Sequence, residues 1–148
     1  MTDFSVSKVE FSVVDEVHRS IPEFGRDHLV EGYDEKCRGS DPSNLVCFSY
    51  GEKVAYGVAY DKFEDGSYYL WMAGVKPHSR REGAMSALVS KLEMMAFQKG
   101  YESVKIKTRN EREEMRHFLI EKGYKVCDFQ FVEDLDRSEI LTVKKIDE

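Results

Sequence analysis

The chain has 148 residues, of which 41% are hydrophobic and 34% charged, and its formal net charge is -6. This length and composition are typical of a soluble globular protein, and we predict one domain over residues 1–148. The negative charge argues against general binding of nucleic acid, which requires a basic surface. No apolar run approaches the ~20 residues of a membrane span, and the N-terminus does not resemble a signal peptide. We therefore expect no membrane association and a cytoplasmic location.

The three cysteines, Cys37, Cys47 and Cys127, are odd in number and far apart in the chain. They match no C-x-x-C spacing of a metal or redox site, and we expect no bound metal. We predict buried free thiols, which fit a reducing compartment.

The first half of the chain alternates apolar segments with turn residues. From Val54 onwards, large and small apolar residues alternate, which is the period-two pattern of a strand covered on both faces. Pro22 interrupts a helical stretch, which predicts two short helices there. The predicted elements are a strand at Phe4–Phe11, two helices within Val14–Arg38, a loop at Arg38–Asn44, and strands at Leu45–Tyr50, Val54–Lys62 and Tyr68–Val75.

The second half contains two helices that each end at a Lys-Gly pair. In the first of them Leu88, Leu92 and Met95 recur at helical spacing. The predicted elements are helices at Gly83–Gln98 and Glu111–Lys122, and strands at Glu102–Lys107, Tyr124–Val132 and Glu139–Ile146. The order β-α-α-β-β-β-α-β-α-β-β predicts an α/β fold, in which about seven strands form a mixed sheet flanked by about four helices.

The segment from Tyr68 to Met95 is the most informative part of the sequence. An apolar strand leads through Pro77 into two arginines, then Gly83, then a helix. Positive charge, a glycine that admits close backbone approach and the free N–H groups of a helix start together suit a polyphosphate-bearing ligand. Solvated surface charge is the alternative for the arginines, although two cations at a helix start oppose the helix dipole and an anionic ligand would explain them.

Three features make the chain resemble the GNAT superfamily of acetyl-CoA-dependent N-acetyltransferases. Arg80 to Ala84 match the family pattern of Arg or Gln, two residues, Gly, one residue, then Gly or Ala, with Met85 where a small residue is usual. Asn110 lies between a strand and a helix, and Phe118 to Tyr124 resemble the family's ending of that helix. The resemblance implies a GNAT-like fold with a mixed, mostly antiparallel sheet.

The resemblance also implies where acetyl-CoA binds. Two central strands, Tyr68–Val75 and Glu102–Lys107, would splay apart and hold the cofactor in the opening. Gly74 within the first of them suggests a bulge or a close backbone approach, or else an incidental glycine that weakens the strand. The backbone that would contact the pantetheine arm belongs to Ala73, Gly74 and Val75, and the pyrophosphate would be wrapped by Arg80, Arg81, Glu82, Gly83, Ala84 and Met85. Met85 is tolerable there if its side chain turns into the core beside Leu88.

Asn110 has two alternative roles. By the resemblance it would hydrogen-bond the cofactor arm, and by its position it would cap the helix that follows, since Asn is a favoured N-cap residue. One side chain performs only one of these roles well.

The catalytic residues cannot be named from the sequence. By the resemblance, Tyr69 occupies the position of a carboxylate base and Leu119 that of a tyrosine general acid. His78 lies beside the phosphate turn, whereas Glu64 and Asp65 read as hairpin-turn residues.

The resemblance therefore implies transfer of an acetyl group from acetyl-CoA to a primary amine of a small molecule or peptide, by direct attack in a ternary complex. The alternative is a module of the same fold that binds acyl-CoA as a sensor without turnover. A homodimer is compatible with the resemblance. An acidic region on the first helices could attract an ammonium group or simply be solvated; its members are Glu23, Asp27, Glu31, Asp34 and Glu35.

Overall fold

The structure is a computed structural model that describes residues 3–24 and 30–146. Asp27 of the predicted acidic region and the centre of the predicted helical stretch before Val30 lie outside the described residues.

Seven strands and four helices follow one another in the predicted order. The strands are β1 (Phe4–Lys8), β2 (Ser43–Ser49), β3 (Glu52–Tyr60), β4 (Ser67–Val75), β5 (Ser103–Arg109), β6 (Lys125–Gln130) and β7 (Glu139–Lys145). The helices are α1 (Phe11–Arg19), α2 (Val30–Gly32, continued by a π-helical turn at Tyr33–Cys37), α3 (Ala84–Lys99) and α4 (Glu113–Glu121). Short 3₁₀ turns lie at Pro22–Phe24, Pro77–Ser79 and Leu135–Arg137.

All seven strands form one sheet in the order β1-β2-β3-β4-β5-β7-β6. The β4–β5 pair at its centre is parallel, and every other pair is antiparallel. The predicted mixed, mostly antiparallel sheet is therefore confirmed. The parallel pair is made possible by α3, which carries the chain from the end of β4 back to the start of β5.

Helices cover both faces of the sheet, which explains why β3 is buried along most of its length. On one face α3 and α4 contribute Leu88, Leu92 and Leu119 to a core with Val104 and Ile106 of β5. We call this the α3/α4 face. On the other face, α1 and α2 pack against β2, β3 and β4, and we call it the α1/α2 face.

One predicted boundary and one predicted burial are wrong. The first strand ends at Lys8, and Phe11 begins α1 because its ring stacks on Tyr33 with 4.0 Å between ring centroids. The predicted burial of the cysteines holds for Cys37 and Cys47 but fails for Cys127. Cys127 lies on β6, an edge strand that is exposed along its whole length.

Within the part of the chain that the structure describes, no helix is both long and apolar enough to cross a bilayer.

Candidate functional site

A gap opens between β4 and β5 at the centre of the sheet. Their pairing runs from Ser67 opposite Ser103 to Leu70 opposite Ile106 and stops there. Beyond this point β4 stays paired with β3 as far as Val75, and β5 stays paired with β7 as far as Arg109. Each strand is therefore held on one side and leaves backbone N–H and C=O groups unpaired on the side of the gap. Such an edge accepts an extended ligand with its own amide groups.

A β-bulge marks the point where the gap begins. Val58 of β3 lies opposite Met72, but Ala59 lies opposite Leu70, so Trp71 is the extra residue of β4. The bulge kinks β4 where it leaves β5. The prediction of a bulge at Gly74 is therefore wrong by three positions.

Side-chain packing requires a glycine at position 74. A Cβ atom built on it would lie 2.7 Å from a ring atom of Phe24, 2.8 Å from Cδ1 of Ile21 and 3.1 Å from a ring atom of Tyr56. These groups press onto β4 from the α1/α2 face. A residue with a side chain could not occupy this position without moving them.

The turn from Arg80 to Met85 presents a run of free backbone donors. Arg81 and Gly83 have φ angles of 63° and 103°, in the left-handed region, and α3 starts at Ala84. The backbone N–H groups from Arg81 to Ser86 make no hydrogen bond with any described residue. Alternating backbone conformations at a helix start direct such groups into one concavity, which is an arrangement that binds anions.

Both arginines of this turn are ion-paired within the chain. Arg80 donates two hydrogen bonds to Glu23, at 2.6 and 2.9 Å, and a third to the carbonyl of Val75 at 3.0 Å. Arg81 pairs with Glu114 of α4. The Arg80 guanidinium lowers the pKa of Glu23 to about 2. These carboxylates offset the cost of two cations at a helix start, so an anionic ligand is not needed to explain them.

The remaining predicted residues of the turn differ in burial. Glu82 is exposed, Ala84 is buried, and Met85 is half-buried against the same core as Leu88. The large side chain of Met85 therefore turns away from the free N–H groups, which is the condition under which the turn tolerates it.

Asn110 is not the N-cap of α4. The residue at that position is Arg112, and no side chain caps the helix. The side-chain amide of Asn110 instead donates to the carbonyl of Leu135 at 3.4 Å, while its backbone N–H donates to Ser138 at 2.8 Å. The capping role is wrong because α4 begins two residues later than predicted. Asn110 joins the end of β5 to the segment before β7.

Thr108 is a candidate site residue that we did not predict from the sequence. It lies on β5 beyond the last pair with β4, on the α3/α4 face, and is 6% exposed. Its Oγ1 atom is buried and has no hydrogen-bond partner among the described residues, so it is a polar atom that could bind a group in the gap. The sequence pattern could have indicated it, because Thr108 continues the alternation of Val104 and Ile106 and so lies on the same buried face of β5.

The two positions expected for acid and base carry no suitable group. Tyr69 is 4% exposed, and burial, with smaller effects of Tyr60 and Glu139, raises its pKa to about 12. A phenol with this pKa keeps its proton near pH 7. Leu119 is fully buried in the core beneath α4 and has no titratable atom.

Other candidate residues serve local structure. His78 is exposed and lies 3.2 Å from Glu52, whereas Asp65 accepts the Ser67 N–H at 3.0 Å within its hairpin turn. In the predicted acidic region, Glu23 and Asp34 are each paired with an arginine. The half-buried Trp71 packs against α2, where a Cβ atom on Gly32 would lie 2.9 Å from its ring.

A model of the Acetyltransferase (GNAT) family matches residues 12–124. A search of curated protein sequences finds no significant match.

Many solved structures share the fold at low sequence identity. The ribosomal-protein-S18-alanine N-acetyltransferase of Escherichia coli has a TM-score of 0.80 at 14% identity, over 99% of this chain and 96% of that one. An aminoglycoside 6'-acetyltransferase type Ii has a TM-score of 0.77 at 18% identity, over 96% and 97% of the two chains. A Bacillus anthracis protein in complex with acetyl coenzyme A has a TM-score of 0.67 at 14% identity, over 76% and 67%.

The family model spans both strands of the gap, the turn with its free N–H groups, and α4. The chain belongs to the GNAT family of acetyltransferases, enzymes that transfer an acetyl group from acetyl-CoA to an amine.

Proposed function

We propose that this enzyme acetylates a primary amine of a small molecule or peptide by direct attack on acetyl-CoA in a ternary complex. The observation that carries the proposal is the conjunction of two unpaired backbone surfaces. The gap after Leu70 and the free N–H groups from Arg81 to Ser86 lie at the two ends of one continuous β4–turn–α3 segment.

The residues present fit acetyl-CoA. The backbone of Ala73, Gly74 and Val75 borders the gap and would pair with the amide groups of the pantetheine arm. The N–H groups at the start of α3 would hold the pyrophosphate, with Arg80 and Arg81 adding positive charge. The buried Oγ1 of Thr108 gives the opposite strand one hydrogen-bonding atom for the same arm.

Bound acetyl-CoA supplies an activated acyl group, in which the carbonyl carbon is attached to a good leaving group. The amine nitrogen forms the new N–C bond as the C–S bond breaks; the nitrogen loses one proton and the departing sulfur gains one. An ordinary lysine-like amine has a pKa of about 10.4, so its deprotonation near pH 7 costs roughly 4–5 kcal/mol. Because Tyr69 and Leu119 provide no base near neutral pH, we assign proton removal to water.

The acceptor would approach from the α1/α2 face. The α3/α4 face is filled by the core around Leu88 and Leu119, whereas Trp71 and the bulge face the other side. Trp71 would form one wall of the acceptor pocket, with α2 held against it.

A thermal-shift titration with acetyl-CoA tests the cofactor site, since a ligand that binds only the folded state must raise the melting temperature. We expect stabilisation at millimolar acetyl-CoA and release of free thiol when an amine is added. No stabilisation at that concentration would refute the proposed site. Stabilisation without thiol release across polyamines, amino sugars, amino acids and peptides would instead assign the chain to acyl-CoA binding without turnover.

A further inference from the structure

A group of cationic and phenolic side chains lies at the closed end of the gap, on the α1/α2 face. Tyr69 belongs to the second-last residue pair of β4 and β5, and Lys107 is the first residue of β5 beyond the last pair. Lys62 follows the end of β3 and places its Nζ atom 4.9 Å from the centre of the Tyr69 ring. We call Lys62, Tyr69 and Lys107 the acceptor cluster. It lies where a substrate entering from this face would reach the gap.

Positive charge at the acceptor cluster is only partly neutralised. The Nζ atom of Lys107 is 3.4 Å from Glu139, whereas Lys62 makes no ion pair with a described residue. Burial lowers the pKa of Lys62, and the positive charges of Lys107 and Lys36 lower it further. The negative charge of Glu139 raises it. The ammonium groups of Lys62 and Lys107 therefore act on each other, and Glu139 is paired with Lys107 rather than with Lys62. This excess positive charge is opposite in sign to that of the chain as a whole, whose net charge is -6.

Lys105, the other nearby lysine, does not add to this excess. It lies 2.8 Å from Asp65 and 4.5 Å from the centre of the Phe63 ring. The ring of Phe63 also stands edge-on to Tyr69, with 5.5 Å between ring centroids. Lys105 thus packs on Phe63, which contacts Tyr69, and its charge is balanced by Asp65. The charge of Lys62 has no such carboxylate among the described residues.

Two phenol groups add unused hydrogen-bond donors. Tyr60 and Tyr69 are 6% and 4% exposed, and their rings meet edge-to-face at 6.0 Å. Neither hydroxyl makes a hydrogen bond with a described residue. Burial raises the pKa of both groups, so both hydroxyls keep their protons and can donate to an anion.

We propose that the acetyl acceptor is an amine that also carries an anionic group, a carboxylate or a phosphate, and that the acceptor cluster binds this group. The proposal rests on the acetyl transfer proposed above and adds the class of substrate. Lys62 supplies the unmatched charge and Tyr69 a protonated donor. Such a pairing favours an anion over a neutral group of the same shape, because only the anion gains a charge-assisted contact with the exposed Lys62 ammonium.

Two matched pairs of acceptors test this. β-Alanine is compared with β-alaninamide, and O-phosphoethanolamine with ethanolamine, by thiol release from acetyl-CoA at constant ionic strength. We expect the wild-type protein to prefer the charged member of at least one pair in kcat/KM. The pair that shows the preference identifies the anionic group as carboxylate or phosphate.

The Lys62→Met variant removes the charge and keeps an apolar stem over the Tyr69 ring. We expect the ratio of kcat/KM for the charged and neutral members to fall about tenfold, through KM, as loss of one charge-assisted hydrogen bond predicts. Comparing the ratio between proteins cancels the intrinsic reactivity of the amines. Lys62→Arg should retain most of the preference. Lys91→Met, on α3 at the opposite face, is the matched control and should leave the ratio unchanged.

Equal use of both members by the wild-type protein, or an equal fall in Lys62→Met and Lys91→Met, would overturn the inference while leaving acetyl transfer intact. If no amine is acetylated, calorimetric titration of the CoA-loaded protein with the same four amines decides the matter. Weaker binding of the charged amine to Lys62→Met than to wild type supports the inference, and unchanged binding refutes it. Failure of acetyl-CoA to stabilise the protein would instead refute the proposed function itself.

Discussion

The cofactor half and the acceptor half of the candidate site are built from different parts of the polypeptide. The cofactor half consists mainly of backbone groups along one continuous segment, from the bulge at Trp71 through the turn to Ser86. The acceptor half consists of side chains brought together from the segment after β3, from β4 and from β5. A backbone site is encoded by local conformation, whereas a side-chain site depends on how distant strands are aligned. The first therefore leaves a short motif in the sequence, and the second does not.

The two halves also differ in how far their positive charges are neutralised. Arg80 and Arg81 are matched by Glu23 and Glu114, so the turn is neutralised within the chain. Lys62 has no carboxylate of its own among the described residues. Exposed ion pairs contribute little to stability and exchange readily with a ligand. In the cofactor half, Arg80 and Arg81 would have to exchange their carboxylate partners for an anionic ligand. In the acceptor half, Lys62 could bind an anion without breaking an ion pair with a described residue.

Gly83→Val is the strongest test of the backbone character of the cofactor half. Gly83 has a φ of 103°, and the left-handed conformation costs other residues roughly 1–2 kcal/mol, more for β-branched ones. We expect at least a hundredfold loss of acetyl-CoA affinity, measured by calorimetry on folded protein. Gly100→Val is the matched control: Gly100 ends the same helix with a φ of 96° and nothing near its Cβ position. It should lose similar stability and keep its affinity; equal loss of affinity in both variants would contradict a binding role for the turn.

Gly74→Ala tests the side-chain packing on β4, the strand that contributes to both halves. The added methyl group would meet Phe24 and Ile21 at less than 3 Å, and overpacking of this kind costs about 1–3 kcal/mol. We expect a lower free energy of unfolding in denaturant titrations. Adding Phe24→Ala should recover part of the loss, because it removes one of the clashing rings. If the double variant loses as much free energy of unfolding as the two single variants lose together, the clash is not the cause.

Thr108→Val asks whether one side chain contributes to the cofactor half. The hydroxyl oxygen is buried and bonds to no residue that the structure describes, so its replacement by a methyl group should leave the apo protein equally stable or more so. We expect acetyl-CoA to bind several-fold more weakly if this oxygen bonds to the cofactor arm. Thr142→Val is the contrasting variant, since the Thr142 hydroxyl already donates to the Ile106 carbonyl at 2.7 Å. It should lower stability; unaltered affinity in Thr108→Val would remove Thr108 from the site.

The smallest expected effect is the loss of stability in acid that comes from the Lys105–Asp65 pair, next to the acceptor cluster. Hydrogen bonds from Lys105 and Ser67 lower the pKa of Asp65 to about 2, below its model-peptide value of 3.8. Because the folded pKa is depressed, the stabilisation is present above pH 4 and is lost as the pH falls from about 4 to about 2. Asp65→Asn should flatten the fall in melting temperature over that range. An unchanged slope would show that the exposed Lys105–Asp65 pair adds nothing measurable.

The sequence predicted most of the fold because its elements carry strong local patterns. The alternation in β3 and the helical spacing in α3 both reflect burial on definite faces, and both elements lie within a few residues of their predicted bounds. The errors fall where tertiary contacts override local preference. Phe11 begins a helix because Tyr33 stacks on its ring. Asn110 is a good capping residue in a position where the chain turns toward Leu135 instead.

The amino-acid sequence by itself determined the order of elements, the family and the glycine turn that begins α3, because periodicity and a short glycine motif act through neighbouring residues. The tertiary structure alone decided where the bulge and the gap lie, because both depend on the register between strands. It also decided that the Thr108 hydroxyl is left without a partner in the described part of the chain and that Lys62 lies over Tyr69 near Lys107. These groups are separated in the chain and meet only when the sheet forms, so no local pattern could predict them.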